Sequence, residues 1–427
     1  MKKITLLLLF MAAYAGLVFW PSYSAVRGNT NGRDFASYHY AIQVAQQGGD
    51  PYETDALDAA AREEGERRGK VNPYFYPPPF LLSMAWDRGY SLNEANHIYY
   101  GLNHLFLLGA LLAMWRWFAP PLAVVAGAVL TLGALPDDMK MGQANLMVLM
   151  LAVVGLWRTN GLALASAAMA KMSPALYLAW WAARRRWVPV AVTIGSALLL
   201  SAAALPLVGL EHQWRFYSEV LPRFAGGPYH DLSVPITLPA NHSIPDLYNQ
   251  LWPGPDGFTL SRAARIASGL TNLSLLAALT ALTARRPGDT LSDACYAGAF
   301  TVLMTLSPVY TYEHHLVFML LPGVALGAAL VRGRLAPWAV MPALLCWALL
   351  AHPLSWNPVL TRHLPSLAWW VQESKFFGVI GLGLLCAYAG AQPAGAAAGG
   401  GRSSGGADKA KAKAKAKARS GAKKSEK

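Results

Sequence analysis

Residues 161–186 read GLALASAAMAKMSPALYLAWWAARRR, and the way this stretch lies in a membrane decides the fold. A single crossing from Gly161 to Ala183 would carry Arg184, Arg185 and Arg186 to the outer side and invert every span after them. Two short half-helices broken at Lys171-Met172-Ser173-Pro174 would instead return the chain to the side it came from, with Pro174 supplying the break. Non-helical backbone at membrane depth survives where it lines a cavity or is buried in protein. Lys171 is then expected to face such a cavity, because an intramembrane cation marks a functional site by default.

The rest of the chain agrees with a bilayer protein. Its 427 residues are 54% hydrophobic and 14% charged, with a mean hydropathy of +0.29, whereas soluble domains carry about 25% charged residues. A soluble enzyme is excluded by this balance. A small peripheral anchor is excluded by length, since one span takes about 20 apolar residues. Apolar runs near 4–22, 98–118, 120–136, 144–157, 188–208, 262–284, 294–310, 314–331, 335–351 and 370–390 predict ten full crossings. With the broken pair between them, Lys2, Lys3, Arg116, Arg158, Arg184 to Arg186, Arg285, Arg286, Arg332 and Arg334 share one side, which the positive-inside rule makes the cytoplasm. The expected architecture is an all-α polytopic membrane protein of about ten spans plus a pair of half-helices. Helical outer-face loops are expected at about 21–97 and 209–261. Residues 1–395 form the membrane domain and 396–427 a Lys/Ala-rich cytoplasmic tail.

The formal charge of +13 resides mostly in that tail, where ten Lys or Arg between Arg402 and Lys427 face Asp408 and Glu426. The tail has no large apolar residues to offset the entropy of ordering, and no aromatic residue or fold signature for nucleic acid accompanies its lysines. Anionic membrane lipid is the expected partner. Cys295, Cys346 and Cys386 lie within or beside apolar segments without metal or CxxC spacing and read as small packing residues. The N-terminus has the charged start and apolar run of a signal peptide. That run continues to about Trp20, so it is read as a retained first span.

Several polar residues at the outer side could carry chemistry. Asp34, in GRDFASYHY, follows the first span among aromatics, which would desolvate an ionised carboxylate and make it a stronger base. A loop carboxylate paired with Arg33 is the plainer reading. Glu313, His314 and His315 stand at the lip of a span; HEXXH spacing is absent and adjacent helical histidines diverge by about 100°, so no metal site is expected. The histidines could bond a phosphate or anchor the interface with Tyr310 and Tyr312. Gln143 and Asn145 open a helix whose start would favour an anion, or simply cap it. Asn241 and Ser243 lie in a proline-rich loop that includes PANHSIPDLYNQLW. Tyr74, Tyr76 and Pro77 to Pro79 would make a stiff aromatic platform suited to sugar or lipid, although interfacial belts look the same. The stretch ETDALDAAAREEGERRGK in the first loop is expected to be helical.

In this order, the segments resemble integral-membrane glycosyltransferases of the GT-C class, specifically glycosyltransferase family 87. The resemblance rests on Asp34-Phe35 with Tyr38, Asp50-Pro51-Tyr52, Tyr76-Pro77-Pro78, Gly142-Gln143-Ala144-Asn145, Lys171-Met172-Ser173-Pro174, Asn241-His242-Ser243, and Leu306-Ser307-Pro308 leading to His314-His315. The best-known members are mannosyltransferases that use polyprenyl-phosphate-mannose. By this resemblance Asp34 is the catalytic base, and Lys171, His314 and His315 lie near the donor phosphate. Tyr38, Tyr76, Gln143, Asn145, Asn241, Ser243 and Glu313 are expected to contact substrate. The implied partners are a polyprenyl-phosphate-sugar donor and a lipid or glycan acceptor, with no cofactor and no metal. Where the family runs through Ile-Ser-Trp before the paired histidines, this chain has Val309-Tyr310-Thr311-Tyr312-Glu313, one residue longer and with an added acid. Beyond about residue 335 no motif matches. Rival readings are the same chemistry with another lipid-linked sugar, such as arabinofuranose or glucose, and a lipid or solute transporter with Lys171 on its pathway.

Overall fold

The computed structural model describes residues 2–27, 34–65, 70–224, 235–238, 240–284, 288–352, 362–363 and 365–393, and the regular structure among them is helical. Arg33, Arg285, Arg286 and the tail 396–427, each used in the sequence reading, lie outside these residues, as do the side chains of Lys2 and Lys3.

Six helices are long and apolar enough to cross a bilayer: Ile4–Val26, Leu92–Phe118, Trp187–Phe224, Arg262–Ala284, Glu313–Val331 and Leu367–Ala391. The pair Leu122–Thr131 and Ala134–Met141, bent by 61°, makes a seventh if it is one span. Three further runs expected to cross form shorter helices, Asn145–Arg158, Thr290–Leu306 and Pro337–Ala351. A polytopic helical fold is thus observed, with six or seven helices of full spanning length among the described residues rather than ten. The first two of the short helices are mostly buried, and backbone shielded by protein need not be helical through the whole apolar depth.

The deciding stretch is broken where its sequence says. Asn160 caps the helix Gly161–Ala170 by accepting from the Ala163 N–H at 3.1 Å. Lys171 leaves the helix in an extended conformation, φ −152° and ψ 116°, and a 3₁₀ turn at Ser173–Leu176 leads into the helix Tyr177–Ala183. Contacts at the bundle end show which way the chain returned. Arg332, after the stretch, donates to the carbonyls of Phe118 and Ala119, before it, at 2.8 and 2.9 Å. An inverted second half would hold these groups a bundle length apart. At the same end Arg184 pairs with Asp293 at 2.9 Å and donates to the Thr283 carbonyl, and Arg334 pairs with Asp289.

Burial separates centre from rim. Across their most apolar windows, Glu313–Val331 is 72% buried and Leu367–Ala391 61%, against 6% for Ile4–Val26 and 11% each for Trp187–Phe224 and Arg262–Ala284. The rim helices therefore present apolar side chains outward, as a lipid-facing helix must. At the centre, small residues allow close approach: a methyl group on Gly298 would meet Pro322 Cα at 2.9 Å and Cys386 Sγ at 3.2 Å. All three cysteines are free, two of them buried, in keeping with a packing role.

The site end is built from longer helices than the hydropathy runs suggest. The first helix absorbs Pro21 through a π turn at Ala15–Phe19 and continues to Val26. The helix Trp187–Phe224 passes Pro206 and kinks at Gly209, and beyond the kink Arg215 pairs with Asp50 and Glu53 of the segment between the first two spans. The loop expected at 209–261 consequently begins after Phe224, not at Gly209. Between the first two spans lie the helices Asp34–Gln46 and Thr54–Glu63, the latter inside the amphipathic stretch expected to be helical. Ser91 and Glu94 form a reciprocal capping box that starts Leu92–Phe118.

Candidate active site

Asp34 is not a loop carboxylate: it lies in the first described turn of the helix Asp34–Gln46, the end of a helix dipole that favours a negative charge. Its Oδ1 accepts from Asn72 Nδ2 at 2.9 Å and its Oδ2 from Gln143 Nε2. His314 Nε2 lies 3.9 Å from the same Oδ2. The aromatics beside Asp34 are buried, Phe35 at 1% and Tyr38 at 0% exposure, while the carboxylate itself keeps partial exposure.

Gln143 is the hub, and Gly142 is why it can be. The helix Ala134–Met141 ends at Gly142 with φ +64°, and a Cβ there would meet Phe35 Cβ at 2.6 Å. Only glycine combines that turn with that approach. Gln143 Oε1 accepts from the Tyr76 hydroxyl at 2.8 Å, and Tyr38 donates to the Tyr76 oxygen at 2.6 Å. Because hydroxyl donors occupy the amide oxygen, the amide nitrogen must face the other way, toward Asp34 and toward His314 Nε2 at 3.2 Å. His314 Nε2 then acts as an acceptor, which fixes its proton on Nδ1.

Lys171, at the break, reaches the same region from the next layer. Its Nζ donates to Asn145 Oδ1 at 2.7 Å, and Asn145 Nδ2 donates to Asp138 Oδ1 at 2.8 Å. The ammonium lies 5.9 Å from the ring centroids of both Tyr76 and Phe318, within cation–π range. Asn145 and Asp138 are fully buried, and among the described residues Asp138 Oδ2 has no hydrogen-bond partner. An ammonium carries three donors, so one bond to Asn145 leaves capacity for an anionic oxygen.

The other expected residues face elsewhere. His315 Nδ1 accepts from the Tyr312 N–H at 3.0 Å, closing its own turn, and its ring sits edge-on to His314 at 4.4 Å. Asn241 donates to the carbonyls of Ile236 and Val309 and accepts from the Thr311 N–H, while Ser243 donates to Val309 O and caps the following helix. Glu313 lies between His242 Nε2 at 3.1 Å and Lys375. The structure therefore brings Asp34, Tyr38, Tyr76, Gln143, Asn145, Lys171 and His314 into one connected set. Asn241, Ser243 and Glu313 instead fix the segment that carries His314.

Asn72, Asp138 and Lys375 are polar members that the sequence does not single out. Asn72 opens the rigid run NPYFYPPPF, so its position was marked but not its role. In DDMKMG, Asp137 pairs with Lys140 three residues on while Asp138 turns inward; nothing in the two letters says which goes inside. Among the described residues no group of three or more His, Cys, Asp or Glu is arranged to hold a metal ion.

Residues 74–308, more than half of the chain, match the model of glycosyltransferase family 87. The matched range includes Tyr76, Gln143, Asn145, Lys171, Asn241 and Ser243 and stops short of Asp34 on one side and of Glu313, His314 and His315 on the other. No curated protein and no solved structure matches the chain. With a helical membrane-protein fold and a carboxylate, lysine and histidine gathered at one end of it, the chain belongs to glycosyltransferase family 87 and is a membrane glycosyltransferase.

Proposed function

We propose that the enzyme transfers mannose from a polyprenyl-phosphate-mannose donor to a lipid or glycan acceptor, with inversion, at the outer face of the cytoplasmic membrane. The observation that carries this reading is the Asp34 carboxylate. It is oriented by two neutral amides and sits 3.9 Å from His314, with the Lys171 ammonium bound one residue deeper through Asn145. Asp34 takes the proton of the acceptor hydroxyl as its oxygen attacks the anomeric carbon and the bond to the donor phosphate breaks. Negative charge grows on the departing phosphate. Lys171 and the Nδ1–H side of the His314 ring stabilise it more in the transition state than in the ground state. His315 supports that turn, and the hydroxyls and amides of Tyr38, Tyr76 and Gln143 suit sugar hydroxyls. The Lys171 ammonium and the Nδ1–H of a neutral His314 suffice for a monophosphate without a metal; turnover lost to a chelator and restored by a divalent cation would overturn that point.

In this reading the six long helices, the bent pair and the three shorter helices make ten crossings, which puts both termini in the cytoplasm. The arginine end of the bundle is then cytoplasmic, and the tail 396–427 lies against anionic lipid. The test is transfer of labelled mannose in membranes carrying wild type or Asp34→Asn at equal abundance. Transfer by wild type that vanishes in the variant is expected. Transfer undiminished in the variant would remove Asp34 as the base; transfer of a different lipid-linked sugar instead would correct the donor; and no transfer of any would favour a transporter.

A further inference from the structure

A second buried polar cluster lies beside the site and takes no part in the proposed chemistry. It is centred on Glu313, whose Oε1 meets His242 Nε2 at 3.1 Å and whose Oε2 accepts from Lys375 Nζ. His242 comes from the second outer loop and is 1% exposed; Lys375 comes from the last spanning helix, Leu367–Ala391, and is 5% exposed. A lysine in the buried face of a spanning helix is costly unless it is paired, and pairing on its own is weak evidence of purpose. Here the partner's place in the chain supplies the purpose.

Glu313 immediately precedes His314, and the two side chains diverge. One enters the His242–Lys375 clasp while the other meets Gln143 and Asp34. The residues just before are fastened to the same loop: the Thr311 N–H donates to Asn241 Oδ1 at 2.8 Å and the His242 N–H to Thr311 O at 2.8 Å. The segment is otherwise short of regular structure, passing from residues 307–312 into a 3₁₀ turn at Glu313–Met319. Its backbone could rotate without the clasp, and a rotation at 313 moves the His314 ring directly.

We propose that Lys375 is a positioning residue for transfer: through Glu313 it sets the direction in which His314 faces Asp34. This rests on the assignment of His314 to the reacting site, but its structural half can be tested without any substrate. The variants are Lys375→Met, Lys375→Arg and the reversed pair Glu313→Lys with Lys375→Glu. Each is read by kcat and KM for the polyprenyl-phosphate sugar, and by hydrogen exchange over 311–315 with the helix Thr290–Leu306 as internal reference. In Lys375→Met, kcat should fall by about ten- to a hundredfold, as expected of a misplacement of an ångström or less. KM should stay within about twofold of wild type, and exchange over 311–315 should quicken while the reference helix is unchanged. Lys375→Arg should recover kcat to within about threefold, and the reversed pair should recover part of it.

Unchanged exchange with a lost kcat would overturn the proposal, since Lys375 would then act on substrate itself. Quickened exchange with an unchanged kcat would overturn it as well, because the clasp would not matter to transfer. If wild type transfers no lipid-linked sugar, the functional assignment fails separately, and the exchange of Lys375→Met alone then upholds or sinks the clasp.

Discussion

Asp34 and Glu313 are carboxylates at the same end of the bundle, on either side of His314, and they are held in opposite ways. Asp34 is bonded by the neutral amides of Asn72 and Gln143, with an imidazole at 3.9 Å and, among the described residues, no ammonium or guanidinium bonded to it. Glu313 is bonded by a buried ammonium and an imidazole. A carboxylate locked to a cation has had its charge satisfied by the protein and serves to hold elements together. One oriented by amides keeps its charge for what enters the site. The difference separates a group that does chemistry from a group that places another.

Exchanging each acid for its amide should therefore split activity from stability. Asp34→Asn removes the proton acceptor but keeps its shape, so kcat is expected to drop by about 10³-fold with little change in thermal unfolding. Glu313→Gln strands Lys375 in a buried position and should cost about 3 kcal/mol of stability, seen as a lower melting temperature in detergent. Its activity loss should be the smaller of the two. Equal effects of both variants on both readouts would erase the distinction between the carboxylates.

Much of the fold was legible because hydropathy and proline are local signals. The break at Lys171–Pro174 lies where Pro174 and the following arginines require it. The end of the bundle that gathers Arg184, Arg332 and Arg334 follows the same charge pattern. The site was legible only in part. Gln143 and Asn145 stood out through their motif, yet the partner of Gln143 is His314, 171 residues away. Lys375 interrupts an apolar run as Lys171 does, but its meaning comes from Glu313, 62 residues earlier. The helix at Asp34 was likewise hidden, because SYHY and its neighbours bury on nearly every face and leave no amphipathic period to read.

The hub between the two carboxylates gives a sharper test than either. Gln143→Leu keeps the volume but removes the amide that turns toward Asp34 and the oxygen that takes the Tyr76 hydroxyl. A loss of about 10²-fold in kcat is expected, with the tyrosines still packed in their aromatic cluster. If Gln143→Leu is as inactive as Asp34→Asn, the amide contacts the reacting groups directly rather than orienting the base.

The smallest effect concerns a third arrangement, in the segment between the first two spans, that belongs to the neutralised kind. His39 is fully buried, with Nδ1 2.8 Å from Asp87 Oδ2 and Nε2 3.1 Å from Glu64 Oε2. Burial alone would lower its pKa, but hydrogen bonds and charge from Asp87 and Glu64 outweigh burial and raise it to about 9. A histidine raised above its unfolded value of about 6.5 contributes in full below that pH, and the contribution is lost as pH rises through about 9. The shift corresponds to roughly 3 kcal/mol at most, and the burial that raises the Asp87 carboxyl opposes it. Thermal unfolding should accordingly weaken between about pH 7 and 10 in wild type and lose most of that slope in His39→Gln. A slope that survives the substitution would mean that the helices between the first two spans are held by something other than a charged histidine between two acids.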